Sequence, residues 1–282
     1  MKRARIALLL ALLFVVAAVY YFQSAARVRV ETVRFESRAL GRVMPYDAVL
    51  PPGYDIFTER RTRYPVLYLL HGWGGNHSSW LSNTSLKDYA ALHKLIIIMP
   101  EGGNGWYTDS ATAPEEKFET YFVEELIPDV ERRFRALNNR GARSVAGNSM
   151  GGYGALKFGL KHPELFAFVA STSGAFDAAS RTDDDSIMRA FGPAASDTRA
   201  ANDIFKLARE FPAERKGTLP YLYFDCGVKD PWFASNRALA DVLLERGIAH
   251  EFRELPGDHI WPFWDRQLRE ILSLAEEFAT PP

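Results

Sequence analysis

The chain has 282 residues and 47% hydrophobic content, enough to bury one sizeable core, and a single α/β domain of that length is ordinary. Lys and Arg (34) nearly balance Asp and Glu (35), giving a formal net charge of -1 with no long run of one sign, which argues against a nucleic-acid surface. A single cysteine, Cys226, excludes an intrachain disulfide and reads as core filling, and no Cys/His cluster has metal-ligand spacing.

At the N-terminus, Lys2, Arg3 and Arg5 precede an uncharged apolar run over 6–22, followed by Gln23-Ser24-Ala25-Ala26. A basic flank, an apolar stretch and then small residues form a secretory signal pattern. The run is longer than a usual signal core and sits at the short limit for a spanning helix. Residues 1–26 are therefore expected to be a signal peptide or an N-terminal membrane anchor. Residues 27–282 would form one exported globular domain, with any membrane attachment made through the leading segment.

Strands are expected over 30–35 and 42–50, the second closed by Pro51-Pro52-Gly53. Runs over 64–70, ending in His71-Gly72, and 95–99, ending in Pro100, are short and apolar throughout. That pattern suits strands buried on both faces of a parallel sheet. Over 119–135, Phe122, Leu126, Val130 and Phe134 recur every four positions as a helical stripe. Pro128 interrupts it, so a kink or loosened turn is expected there. A strand over 143–146 leads into a helix over 150–161 that His162-Pro163 stops, and a further strand follows over 165–171. The segment 174–216 breaks the rhythm, with Asp183-Asp184-Asp185, scattered alanines and no strand signal. It reads either as a lid over a site or as a solvated insertion with short helices. Strands over 219–224 and 250–255 then alternate with helices over 233–246 and 262–278. Such repetition means a mainly parallel sheet with helices on both faces, without internal repeats or a second domain.

One motif carries chemistry. Gly147-Asn148-Ser149-Met150-Gly151 places a serine between two glycines at the junction of an apolar strand and a helix, the G-x-S-x-G nucleophile elbow of the α/β-hydrolases. A serine needs a base to remove its proton and a third group to orient that base; in this arrangement the acid and then the histidine follow the serine. Asp225 and Asp230 are both candidates for the acid. Asp225 sits at a strand end, where a bracing role is commoner, and Asp230 lies in the turn beyond, so Asp230 is favoured. His259, directly after the strand over 250–255, is the candidate base. His71, His77, His93 and His162 fit less well by order or placement, and His250 lies within a strand. The oxyanion needs N–H donors: one is expected from the backbone of Met150. The other is expected from Trp73 in His71-Gly72-Trp73-Gly74-Gly75, where glycines such as Gly74 let the backbone approach a substrate. Aromatic residues, among them Trp106, Tyr107 and Trp261, are candidates for a substrate-facing surface.

Four segments together resemble the esterase D-like family of α/β-hydrolases: 64–72, 99–107 (Met-Pro-Glu-Gly-Gly-Asn-Gly-Trp-Tyr), 147–152 and Gly257-Asp258-His259. That family includes small-acyl (tributyrin-type) esterases, feruloyl esterases, S-formylglutathione hydrolases and mycolyltransferases. The likeness runs over about 35–280 in the family's order. The paired Gly151-Gly152 and the short loop at Gly102 are most similar to the small-acyl esterases. The resemblance implies an α/β-hydrolase fold, a Ser149–Asp230–His259 triad, Trp73 and Met150 as oxyanion donors, a cleft lined by 103–107, and no cofactor. The activity so implied is serine carboxylic-ester hydrolysis of a small-molecule ester. Two alternatives are acyl transfer to a sugar or glycan alcohol in the cell envelope, and a non-catalytic α/β-hydrolase-like binding protein. An intact Ser–Asp–His set argues against the second.

Overall fold

A computed structural model describes residues 27–279, together with residues 5, 10–16 and 21. An antiparallel hairpin opens the domain, β1 (Arg29–Ser37) against β2 (Arg42–Leu50). The remaining strands are β3 (Val66–Leu70), β4 (Ile96–Pro100), β5 (Arg143–Asn148), β6 (Phe168–Thr172), β7 (Tyr221–Gly227) and β8 (His250–Leu255). They complete an eight-stranded sheet in the order β1-β2-β4-β3-β5-β6-β7-β8. β2 meets β4 antiparallel, and every pairing from β4 through β8 is parallel. This is the mostly parallel α/β-hydrolase arrangement implied by the motifs.

Every residue of β3, β4, β5 and β6 is buried, as their unbroken apolar sequences require when both sheet faces are covered. The helices divide between those faces. α1 (Ser79–Asn83), α2 (Leu86–Ala90) and the C-terminal α9 (Trp261–Glu277) cover one, where Trp80, Leu86, Leu268, Ile271 and Leu272 pack on Leu67, Ile97 and Phe168. α3 (Ile127–Arg133), α4 (Met150–Lys161) and α8 (Phe233–Glu245) cover the other through Val130, Leu156, Phe158, Leu239 and Leu243.

Pro128 has the effect its chemistry demands. It stands in the first turn of α3, and the residues just before it, Tyr121–Leu126, form a π-helical turn. Proline lacks an N–H and its ring crowds the carbonyl four residues back, so a widened turn relieves the conflict. The helix ends at Arg133, two residues before the expected bound, because Phe134 is extended, and its ring still packs in the same core as Val130. β6 begins at Phe168, since His162-Pro163 and the turn after it take up the residues expected to start it. β7 starts at Tyr221, past Pro220, and continues to Gly227, with Asp225 paired to Thr172.

The segment after β6 holds three short helices, α5 (Asp185–Phe191), α6 (Asp197–Asn202) and α7 (Ile204–Glu210), between two 3-10 turns. Each helix has a side-chain cap: Asp184 accepts from the Ser186 and Ile187 N–H groups, Ser196 from Arg199, and Asp203 from Phe205 and Lys206. The expected leader or anchor, 1–26, lies mostly outside the described residues; of it, 10–16 are helical and exposed. Among the described residues, no helix is long and apolar enough to cross a membrane.

Candidate active site

The serine sits where β5 turns into α4. Its backbone takes φ 54° and ψ -119°, a conformation that non-glycine residues reach only when their surroundings impose it. The surroundings leave little choice. The Ser149 N–H donates to the Thr172 carbonyl at 3.1 Å, and the Ser149 carbonyl accepts from the Tyr153 and Ala175 N–H groups. A Cβ on Gly147 would lie 2.5 Å from the Gly151 carbonyl carbon, and one on Gly151 would lie 2.4 Å from the Leu70 carbonyl oxygen. Only hydrogen fits at either place.

Asp230 and His259 arrive from the loops after β7 and β8. Those loops are pressed together backbone to backbone: Val228 N–H donates to the Leu255 carbonyl and Lys229 N–H to that of Gly257. A Cβ on Gly227 would stand 2.5 Å from the Gly257 carbonyl carbon. The result is a continuous chain of hydrogen bonds. His259 Nδ1 lies 2.9 Å from Asp230 Oδ2, and His259 Nε2 lies 3.0 Å from Ser149 Oγ. A carboxylate can only accept, so Nδ1 carries the ring proton and Nε2 presents its lone pair to the serine hydroxyl. Asp230 is buried and its second oxygen accepts the Trp232 N–H at 2.8 Å. The Trp264 ring stands edge-on to the imidazole at 4.9 Å and 88°, with its own N–H on Ser173 Oγ. Asp258 is occupied by the His259 backbone N–H.

Asp225 is placed elsewhere. It is fully buried within the sheet, accepting from Thr172 Oγ1 at 2.6 Å and from the Tyr223 hydroxyl at 3.1 Å. Burial pushes its carboxyl up to about 7, against the pull of those hydrogen bonds and of Arg253. His250 caps the Ile248 carbonyl and stacks on Phe224, away from the serine.

The loop after β3 packs directly on the elbow, with a Cβ on Gly72 only 3.2 Å from Ser149 Cβ. His71 pins it. The buried imidazole donates from Nδ1 to the Gly72 carbonyl at 2.8 Å and accepts the Gly102 N–H on Nε2 at 2.9 Å. Gly74 N–H donates to Asn104 Oδ1 at 2.8 Å. Trp73, between these anchors, and Met150, first in α4, are where the two expected oxyanion donors lie.

Around Ser149 and His259 opens a cleft of about 500 Å³. Gly74, Trp73, Trp106 and Trp261 line it, as do Trp232, Trp264, Arg181 and Asp184. Tyr107 does not. Trp106 and Tyr107 both have positive φ, 54° and 51°, and the twist turns consecutive side chains apart. The Tyr107 ring goes inward against Gly102 and Gly154, with its hydroxyl on the His71 carbonyl at 2.9 Å. Among the described residues, no group of three or more His, Cys, Asp or Glu side chains could hold a metal ion.

The Esterase family model ("Putative esterase") matches residues 37–274, which takes in the elbow, Asp230 and His259. The chain belongs to the Esterase family. It is 32% identical over 255 residues to Esterase Rv1288 of Mycobacterium tuberculosis, a match covering 81% of this chain and 55% of that protein. This chain thus spans little more than half the length of that relative. With an acetyl esterase of Caldicellulosiruptor saccharolyticus it shares 31% identity over 214 residues, 72% of this chain and 80% of the other. Among solved structures, FphF, a fluorophosphonate-binding serine hydrolase of Staphylococcus aureus, superposes with a TM-score of 0.79 at 26% identity, over 88% of this chain and 98% of that one.

Several residues of this Esterase-family site carry no mark in the sequence. Lys157, on α4, is wholly buried; its ammonium donates to the Tyr107 carbonyl, to Thr108 Oγ1 at 3.0 Å and to Glu119 Oε2 at 2.7 Å. It thereby fixes the twisted 106–107 backbone from behind. Burial draws the ammonium down to about 8 in spite of the Glu119 carboxylate. Burial also opposes charge on Glu119, but Lys157, His162 and Lys161 outweigh it and hold the carboxyl far below its usual range. Arg181 stacks over Trp232 at 5.0 Å and pairs with Asp183. Neither a lysine inside a helix nor an arginine in an irregular segment announces its partner, because the partner is chosen by long-range packing.

Proposed function

We propose that the chain is a serine carboxylic-ester hydrolase working through Ser149, His259 and Asp230. The observation that carries this reading is the imidazole of His259 bridging Ser149 Oγ and the buried Asp230 carboxylate, an order of partners that favours the tautomer a general base requires. Ser149 Oγ attacks the ester carbonyl while its proton passes to His259 Nε2, and Asp230 steadies the imidazolium. The Trp73 and Met150 N–H groups receive the oxyanion; loss of one such donor typically costs about 10²–10³ in turnover. Collapse of the tetrahedral species breaks the C–O bond, and the alcohol departs with the proton from His259. Water, deprotonated by the same imidazole, then adds to the acyl-enzyme and releases the acid and Ser149. The chemistry uses no metal or cofactor.

The relatives named as esterases support ester hydrolysis, and the one named acetyl esterase favours a small acyl group. A cleft of about 500 Å³ lined by indoles suits a small-molecule ester. Residues 1–26 are read as the segment that sends the domain out of the cytoplasm or tethers it to the membrane. Fractionation of the full chain against one starting at residue 27 tests that reading.

The direct test of the reaction is stoichiometric labelling of Ser149 by a fluorophosphonate, together with hydrolysis of p-nitrophenyl acetate. Both should vanish in Ser149→Ala. A folded wild-type protein that neither labels nor turns over would refute the assignment.

A further inference from the structure

Two loops, carrying Trp73 and Trp106, converge on one hydroxyl at the start of α5. Ser186, in the first turn of α5, accepts the indole N–H of Trp73 and that of Trp106, each at 3.1 Å. Its own O–H donates to Asp184 Oδ1 at 2.5 Å. A serine hydroxyl offers one donor and two acceptor positions, so this one is saturated. Asp184 is fixed in turn, because the same oxygen accepts the backbone N–H groups of Ser186 and Ile187. An indole has a single N–H, so each ring gives its only hydrogen bond to Ser186.

The rings differ in their other support. Trp106 is buried, packing edge-on to Tyr153 at 5.7 Å and tilted on Phe191 at 6.0 Å. Trp73 is 57% exposed. Both line the cleft that holds Ser149 and His259, beside Asp184 and Ile187. With both indole nitrogens 3.1 Å from one oxygen, they are at most about 6 Å apart. A planar group passing between the two N–H edges would need roughly 3.5 Å on either side, or about 7 Å.

We infer that Ser186 is a positioning residue that determines specificity: by clasping Trp73 to Trp106 it closes that end of the cleft to bulky ester groups. This rests on the ester-hydrolase reading above. It adds to that reading a gatekeeper that touches no reacting atom and meets Trp73 through its indole N–H, not through the backbone N–H proposed as an oxyanion donor.

The test uses the full chain as wild type, Ser186→Ala, Ser186→Thr and Trp73→Phe. Values of kcat and KM are measured on p-nitrophenyl esters from acetate to decanoate and on naphthyl acetate. Loss of the hydroxyl in Ser186→Ala should raise kcat/KM for the bulkier esters relative to p-nitrophenyl acetate at least fivefold, chiefly through a lower KM. Ser186→Thr keeps a hydroxyl and should return the ratio to within twofold of wild type. Trp73→Phe removes the N–H, keeps a ring and leaves α5 untouched, so it should reproduce the alanine result even if Ser186→Ala folds poorly. A ratio within twofold of wild type in both Ser186→Ala and Trp73→Phe, on protein whose Ser149 labels stoichiometrically with a fluorophosphonate, overturns the clasp and leaves Ser149 standing. A wild type that does not label overturns both.

Discussion

Asp225→Asn should make the protein more stable at alkaline pH without impairing its chemistry. The wild-type carboxyl is buried inside the sheet between Thr172 and Tyr223, and burial raises its pKa from the ordinary 3.8 to about 7. A folded-state pKa above the unfolded value means that the folded protein binds the extra proton between those two limits. The corresponding stability is fully present below about pH 3.8 and is lost as the pH rises through about 7. At about 1.4 kcal/mol per pH unit, the loss is on the order of 4 kcal/mol by pH 8. Asparagine keeps the shape, offers one oxygen to Thr172 and never ionises. The two proteins should therefore unfold at similar urea concentrations near pH 4 and separate progressively above it, the variant being the more stable by up to that amount at pH 8. For a domain of this size, about 1 kcal/mol moves the melting temperature by roughly 2–4 °C, so scanning calorimetry at both pH values resolves the difference. A variant no more stable than wild type at pH 8 would refute the reasoning, because it would mean the buried carboxylate carries no penalty.

The hydrogen-bonded chain at the elbow makes sharper demands. Asp230→Asn should lower kcat on p-nitrophenyl acetate by about 10⁴, by analogy with loss of the orienting acid in serine proteases, whereas Asp225→Asn should stay within a few-fold of wild type. His259→Ala should fall by orders of magnitude and His250→Ala should not; the reverse would place the base elsewhere. Gly151→Ala forces a Cβ to 2.4 Å from the Leu70 carbonyl oxygen and should lose about 3 kcal/mol, the upper end for overpacking, read as a lowered urea midpoint. Lys157→Met takes the buried ammonium from Glu119, which keeps Lys161 at 2.7 Å and His162 at 3.0 Å, and leaves the Tyr107 carbonyl without that donor; it should cost about 1–3 kcal/mol, read as a lowered urea midpoint. An unchanged midpoint would deny that the buried ammonium holds this part of the fold together.

What the sequence revealed divides along a physical line. β3 and β4 were legible because a strand covered on both faces must be apolar at every position, and little else in a short run looks like that. Ser149 was legible because close packing at Gly147 and Gly151 leaves a local mark, and His259 because chain order restricted the choice among six histidines. Asp230 was distinguishable from Asp225 only by its place relative to the strand end, and β7 does run through Asp225 and stop at Gly227. Tyr107 was expected in the cleft and is turned inward, since consecutive positive φ values at 106 and 107 leave no signature in ordinary side chains. Arg181, Asp184 and Ser186 come from a stretch without periodicity; their positions depend on helix caps and on indoles about fifty or more residues away. Lys157 has no local signal at all; Glu119 and the Tyr107 carbonyl reach it only through the fold.

Ser149, Asp230 and His259 all stand just past the C-terminal ends of parallel strands, while Trp73, Trp106, Arg181 and Ser186 hang on the excursions between those ends. On the proposed reading, bond making is anchored to the ends of hydrogen-bonded parallel strands, and substrate choice falls to connectors that can be lengthened, trimmed or exchanged. On that reading, grafting a different stretch in place of 178–191 should change which esters enter while the Ser149 hydroxyl and the His259 imidazole keep their 3.0 Å spacing. Diversity for an engineered variant belongs in those connectors, and the strand stubs are best left alone.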